Sequence, residues 1–125
     1  MTQRTVLYVE DNEYNRKIVR QLLSKTSYRL VEAVDGESGV AAAFDQRPDL
    51  ILMDVQLPKT SGLDATRTLR ADERTKDIPI IIITSFAMSG DRERATDAGA
   101  SGYLAKPYSP RELLALVQQF LPEEA

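Results

Sequence analysis

The stretch Leu50-Ile51-Leu52-Met53-Asp54 decides the reading of this chain. Four apolar residues run without alternation into a carboxylate, with Pro48-Asp49 before them and Pro58 after. A short apolar run bounded by turn residues reads as a strand buried on both faces, as in a parallel sheet. Asp54 stands where that strand ends. On the residues alone it is a helix cap, a metal ligand or a nucleophile.

Upstream, Thr5-Val6-Leu7-Tyr8-Val9 is β-branched and aromatic and reads as a buried strand ending in Glu10-Asp11-Asn12. From Glu13 the period changes: Tyr14, Ile18, Val19, Leu22 and Leu23 follow helical spacing, with Asp11 or Asn12 as the cap. Tyr28 to Ala33 is a second strand. Asp35-Gly36 is turn chemistry, and a small-residue helix follows with Val40, Ala43 and Phe44 facing inward. Gly39 weakens that helix. Downstream, Leu63, Thr66 and Leu69 after Gly62 mark a short helix, and Ile80 to Ile83 is a strand ending at Thr84-Ser85. Ser89 caps a helix with Asp91 and Glu93 in its first turn, only Ala95 and Ala98 turned inward, and Gly99 as its stop. Ser101 to Leu104 is a short strand leading to Ala105-Lys106-Pro107. Ser109-Pro110-Arg111-Glu112 is a capping box that opens an amphipathic helix through Leu113, Leu116, Val117 and Phe120, stopped by Pro122.

Strand and helix alternate five times without an internal linker, which argues for an α/β fold with a parallel sheet covered on both faces. The 125 residues are the size of one domain, expected to span 1–125. The net charge of −3, with scattered basic residues, offers no field for nucleic acid or an anionic membrane. There is no cysteine, hence no disulfide or thiolate site, and no histidine, hence neither the commonest general base nor a phosphohistidine. Nothing after Met1-Thr2-Gln3-Arg4 resembles a signal segment, and the Ile80–Ile83 run is far short of the ~20 residues that span a bilayer. A cytoplasmic domain is expected.

In a parallel sheet every strand ends on one edge, where open α/β sheets bind their ligands. That edge collects Glu10-Asp11, Asp54, Thr84-Ser85 and Lys106. Carboxylates gathered together require a compensating cation, and oxygen donors without histidine or cysteine point to Mg²⁺. A hard cation beside a carboxylate, a hydroxyl and a lysine is a set of parts for phosphoryl transfer, with the carboxylate as nucleophile.

Along essentially its whole length the chain resembles a response-regulator receiver domain of two-component signalling. The matching motifs are Val9-Glu10-Asp11-Asn12, Met53-Asp54-Val55-Gln56-Leu57-Pro58 with Gly62, Ile83-Thr84-Ser85, and Lys106-Pro107. The resemblance implies a flavodoxin-like five-stranded parallel sheet of order 2-1-3-4-5, with five helices on both faces. It implies that Asp54 accepts a phosphoryl group from a histidine kinase or phosphotransfer protein. It implies Mg²⁺ on Glu10, Asp11, Asp54 and the Gln56 backbone carbonyl. Thr84 and Lys106 would bond the phosphoryl oxygens, the Lys106-Pro107 bond would be cis, and Tyr103 would swing inward as Thr84 moves. The output would be a protein contact on the face of helix four, strand five and helix five, with Arg92 and Arg94 among its residues, by a monomer or a phosphorylation-dependent dimer. Ser85 and Leu57 depart from the usual alanine and methionine, Ser38-Gly39 replaces a usual Glu-Ala, and the variable Gln56 and Phe86 are expected to set the phosphoryl lifetime.

The chain is expected to be a stand-alone regulator of another protein, resembling the cell-division or chemotaxis types, and not an enzyme beyond its own phosphorylation and dephosphorylation. The alternative within the fold is a pseudo-receiver that never takes phosphate, against which the intact acidic set argues. An aspartyl-phosphate hydrolase of the haloacid-dehalogenase kind would need a second acid where Gln56 stands. A flavodoxin-like electron carrier would need a phosphate loop where Glu10-Asp11 stand.

Overall fold

The apolar runs form five parallel strands: β1 (Thr5–Val9), β2 (Arg29–Ala33), β3 (Leu50–Asp54), β4 (Ile80–Thr84) and β5 (Gly102–Ala105). Between and after them lie α1 (Glu13–Leu23), α2 (Gly36–Gln46), α3 (Gly62–Arg70), α4 (Asp91–Ala98) and α5 (Pro110–Phe120). The sheet order is β2-β1-β3-β4-β5, the order the resemblance implies. This computed structural model describes residues 3–57, 60–85 and 91–122. Pro58, Phe86 and the expected cap Ser89 lie outside them.

Strand alternation sorts the core into two layers. Val6 and Tyr8, Leu50 and Leu52, and Ile81 and Ile83 pack with Val19 and Leu23 of α1 and Leu113 and Val117 of α5. The intervening Leu7, Val9, Ile51, Met53, Ile80 and Ile82 pack with Ala43 of α2, Ala65 and Leu69 of α3, and Ala95 of α4. Strands β1, β3 and β4 are buried at every residue, which is why their sequences show no period of two.

The helix ends sharpen several expectations. Asn12, not Asp11, caps α1: its side chain accepts the Asn15 N–H at 2.9 Å. The capping box at Ser109 and Glu112 is present, both bonds measuring 3.1 Å. Asp35 serves a second one rather than a simple turn, pairing reciprocally with Ser38. Gly39 is needed where it stands, because a Cβ there would lie 2.8 Å from Val9 Cγ2 and push α2 off the sheet. Tyr14, placed on the inner face of α1 by its spacing, is 71% exposed, and no residue of the first turn of α1 is buried. Strand β5 runs one residue later than expected.

Two polar devices tie elements together. Arg70, at the end of α3, donates from Nε to Gly99 O (2.8 Å), from Nη1 to the carbonyls of Lys76 (2.9 Å) and Ile78, and from Nη2 to Ser101 Oγ (3.0 Å). One guanidinium thus joins the α3–β4 and α4–β5 connections, using its donors in a fixed planar fan. Gly99 adopts φ +108°, and a side chain there would meet Arg70 Cγ at 2.6 Å. On the other side, Arg20 of α1 grips Glu32 of β2 through two bonds of 2.7 and 2.8 Å, and Arg16 approaches the same carboxylate at 3.4 Å.

Two outcomes follow for stability. Ile82→Ala empties a fully buried site facing α3 and α4, and unfolding in urea should show a loss of about 2–5 kcal/mol. The Arg20 hydrogen bond, opposed by partial burial, holds the Glu32 carboxyl below its ordinary 4.5. A carboxyl depressed by folding contributes stability above its unfolded value and loses it as pH falls through the folded one. The stability lead of wild type over Glu32→Gln should therefore be full at neutral pH and shrink below pH 4.5; a lead independent of pH would refute the pairing.

Candidate functional site

The ladder of the sheet continues one residue past two strand ends. Glu10 N donates to Ala33 O at 3.0 Å, and Lys106 N to Thr84 O at 2.7 Å. The alternation of side chains therefore persists to Glu10 and Lys106. Glu10 follows Val6 and Tyr8 on the side of α1 and α5, Asp54 follows Leu50 and Leu52, and Lys106 follows Leu104, so all three fall on one side. Thr84 follows Ile80 and Ile82 to the opposite side, where Tyr103 also packs.

Glu10 and Asp54 are 1% and 2% exposed. Lys106 Nζ bridges them, 2.6 Å from Asp54 Oδ2 and 3.1 Å from Glu10 Oε1. Burial alone would lower the pKa of this ammonium. The hydrogen bonds and charges of Asp54 and then Glu10 outweigh that and raise it above its ordinary value. The other Asp54 oxygen accepts the Gln56 N–H at 2.8 Å, fixing the carboxylate plane. A side chain on Gly62 would overlap the Asp54 carbonyl, so glycine lets α3 start against the end of β3. The Lys106-Pro107 bond is cis.

Glu10 is the most heavily bonded group of the site. Oε1 accepts from Tyr8 Oη at 3.2 Å and Asn15 Nδ2 at 3.3 Å besides Lys106, and Oε2 accepts the Asn12 N–H at 3.2 Å. Its backbone carbonyl accepts Arg16 Nη1 at 2.9 Å. Burial first, then neighbouring Tyr108 and Glu10, push the Tyr8 phenol well above its ordinary value, so it stays protonated as a donor. These partners were missed from the sequence, although two signals were there. Tyr8 lies two residues before Glu10 on the same strand face, and Asn15 lies one helical turn after the Asn12 cap.

The structure brings together two of the three expected carboxylates. Asp11 is exposed, past the last ladder bond, and among the described residues no three acidic side chains sit close enough to hold a metal ion. The compensating cation that the carboxylates require is in this arrangement Lys106. The Glu10 and Asp54 carboxylate oxygens, with no imidazole or thiolate beside them, still suit a hard cation. Thr84 is 2% exposed at the end of β4. Tyr103 is half-buried with Arg92 of α4 over its ring, 5.0 Å from the centroid. Gln56 is exposed beside Asp54. Among the described residues no helix is long and apolar enough to cross a membrane.

Comparison with known proteins agrees with this arrangement. The profile of the response regulator receiver domain matches residues 6–118. The polar-differentiation response regulator DivK of Brucella anthropi is 40% identical over 118 residues, covering 94% of this chain and 96% of that protein. The receiver domain of sensor histidine kinase PA1611 from Pseudomonas aeruginosa PAO1 was solved with a magnesium ion coordinated in its active-site cleft. It is 40% identical with a TM-score of 0.87, covering 95% of this chain and 98% of that one. Chemotaxis response regulator CheY4 of Vibrio cholerae superposes with a TM-score of 0.90 at 31% identity, covering 96% of this chain and 100% of that one. A similarity that runs through nearly every element, in a sheet of this order, leaves one assignment: the chain belongs to the response-regulator receiver family of two-component signalling.

Proposed function

We propose that residues 1–125 form one receiver domain acting as a single-domain response regulator of the DivK kind, with Asp54 as its phosphoacceptor. The observation that carries this reading is the Asp54 carboxylate, fixed by the Gln56 N–H and gripped at 2.6 Å by Lys106 at the carboxyl edge of the sheet. Receiver domains are signalling modules that work between histidine kinases and downstream targets. The donor here is a phosphohistidine of another protein, since this chain has no histidine. An Asp54 oxygen attacks phosphorus, the bond from phosphorus to the donor nitrogen breaks, and the acyl phosphate remains on Asp54.

Lys106 would pair with charge that develops on the phosphoryl oxygens, and Thr84, at the adjoining strand end, would bond one of them by turning toward the Asp54 side. Glu10, Asp11, Asp54 and the Gln56 carbonyl would hold Mg²⁺. The bound ion would neutralise charge on the carboxylates and the incoming group. Thr84 and Tyr103 lie on the same side of the sheet, so a pull on Thr84 would be felt where Tyr103 meets Arg92. This supports a switch that reads phosphorylation out on the face of α4, β5 and α5 to a protein target, in the cytoplasm.

Intact-mass analysis after incubation with acetyl phosphate and Mg²⁺ tests the reading without the donor protein. Wild type should gain one phosphoryl group, lose the gain with chelator, and show none in Asp54→Asn. Lys106→Met should fold and take up phosphoryl at least about tenfold more slowly, the loss of a preorganised charge. A folded wild type that gains no mass at short quench times would instead identify a pseudo-receiver.

A further inference from the structure

The Tyr8 ring is fully buried in the layer of α1 and α5, where Val6, Leu52 and Leu113 would be served equally well by phenylalanine. Its hydroxyl is the exception. It rises from the core to Glu10 Oε1, the oxygen that Lys106 also holds. The 3.2 Å contact is longer than a typical hydroxyl–carboxylate bond, and both of its ends are shared: Oε1 also accepts from Asn15 and Lys106, and the Tyr8 hydroxyl also meets that of Tyr108. Tyr8 thus reaches the acidic pair from within the core, while Lys106 and Asn15 reach it from the edge. With Tyr8 supporting Glu10, the ammonium can stay at 2.6 Å from Asp54 while remaining 3.1 Å from Glu10. Without that support Glu10 loses a fixed donor, its carboxylate is freer to turn, and its claim on Lys106 grows.

We propose that Tyr8 is a positioning residue: its hydroxyl orients the Glu10 carboxylate from within the core and thereby sets the affinity of the site for a divalent cation. This rests on the reading that Glu10 is part of the magnesium site. Groups that hydrogen-bond a metal ligand from behind fix its orientation, and their loss weakens binding by about 10–100-fold.

The test is calorimetric titration of Mg²⁺ into wild type, Tyr8→Phe, Glu10→Gln and the double variant, with Tyr28→Phe, whose buried phenol bonds Leu121 O in the same layer, as the control for loss of a core hydroxyl. Tyr8→Phe should stay folded and raise the Mg²⁺ dissociation constant about tenfold. In the Glu10→Gln background it should change nothing further, which a general loosening of the core would not produce. Tyr28→Phe should stay within about twofold of wild type. A Tyr8→Phe effect under twofold, or one of equal size in both backgrounds, overturns the proposal. Should Tyr8→Phe fail to fold, 3-fluorotyrosine placed at residue 8 keeps the ring and strengthens the donor; an unchanged dissociation constant then overturns it equally. Wild type that binds no Mg²⁺ and takes no phosphoryl group would sink the magnesium site itself. Wild type that does both, with Tyr8→Phe unchanged, would sink only the role of Tyr8.

Discussion

A parallel sheet buried on both faces leaves charge one place to go, its carboxyl edge. Every residue of β1, β3 and β4 is buried, and an unpaired ion within that region would cost several kcal/mol. The ends of the strands are where polar side chains reach water while their backbone is still held by the ladder. Alternation then decides which meet. Glu10, Asp54 and Lys106 share a parity and a side, whereas Thr84 falls to the other and Asp11 lies past the ladder. The site is a consequence of sheet register before it is a matter of chemistry.

The grouping is electrostatically unbalanced. Two nearly buried carboxylates share one ammonium, leaving a net negative charge in a poorly hydrated place. Among the described residues, no buried side-chain oxygen or nitrogen lacks a hydrogen-bond partner. Glu10 alone gathers donors from Tyr8, Asn12, Asn15 and Lys106. The fold holds the pair through the Lys106 ion pairs together with full hydrogen bonding, and two carboxylates to one ammonium leave room for a further cation.

Much of this was legible in the sequence. The Leu50–Asp54 and Ile80–Thr84 runs, the caps at Asn12 and Ser109 and the stop at Gly99 carry their own signals, because each depends on residues close in the chain. The strand ends could be assigned to one edge by alternation alone. What the sequence hid is non-local. Gly39 is needed because Val9 lies across from it, and Glu32 looks bland until α1 brings Arg20 alongside. Tyr8 reads as a core aromatic because its ring is one; only the placement of Glu10 shows what the hydroxyl does. Tyr14 was misread because the helical period of α1 begins before the helix buries anything, and its ring stays exposed.

The anchoring of α4 has a mechanical consequence. Its inward contribution is little more than the methyl groups of Ala95 and Ala98, about 1–2 kcal/mol of apolar burial, against Leu113 and Val117 on α5. Its C-terminal end is fastened differently, by the Arg70 bond to Gly99 O and the neighbouring bond to Ser101. A helix held lightly along its length and firmly at one end is a lever with a fulcrum. A displacement of its first turn, where Arg92 lies over the Tyr103 ring, would swing the helix in an arc about Gly99, and the hydrophobic layers of the sheet need not be broken for that arc to be swept.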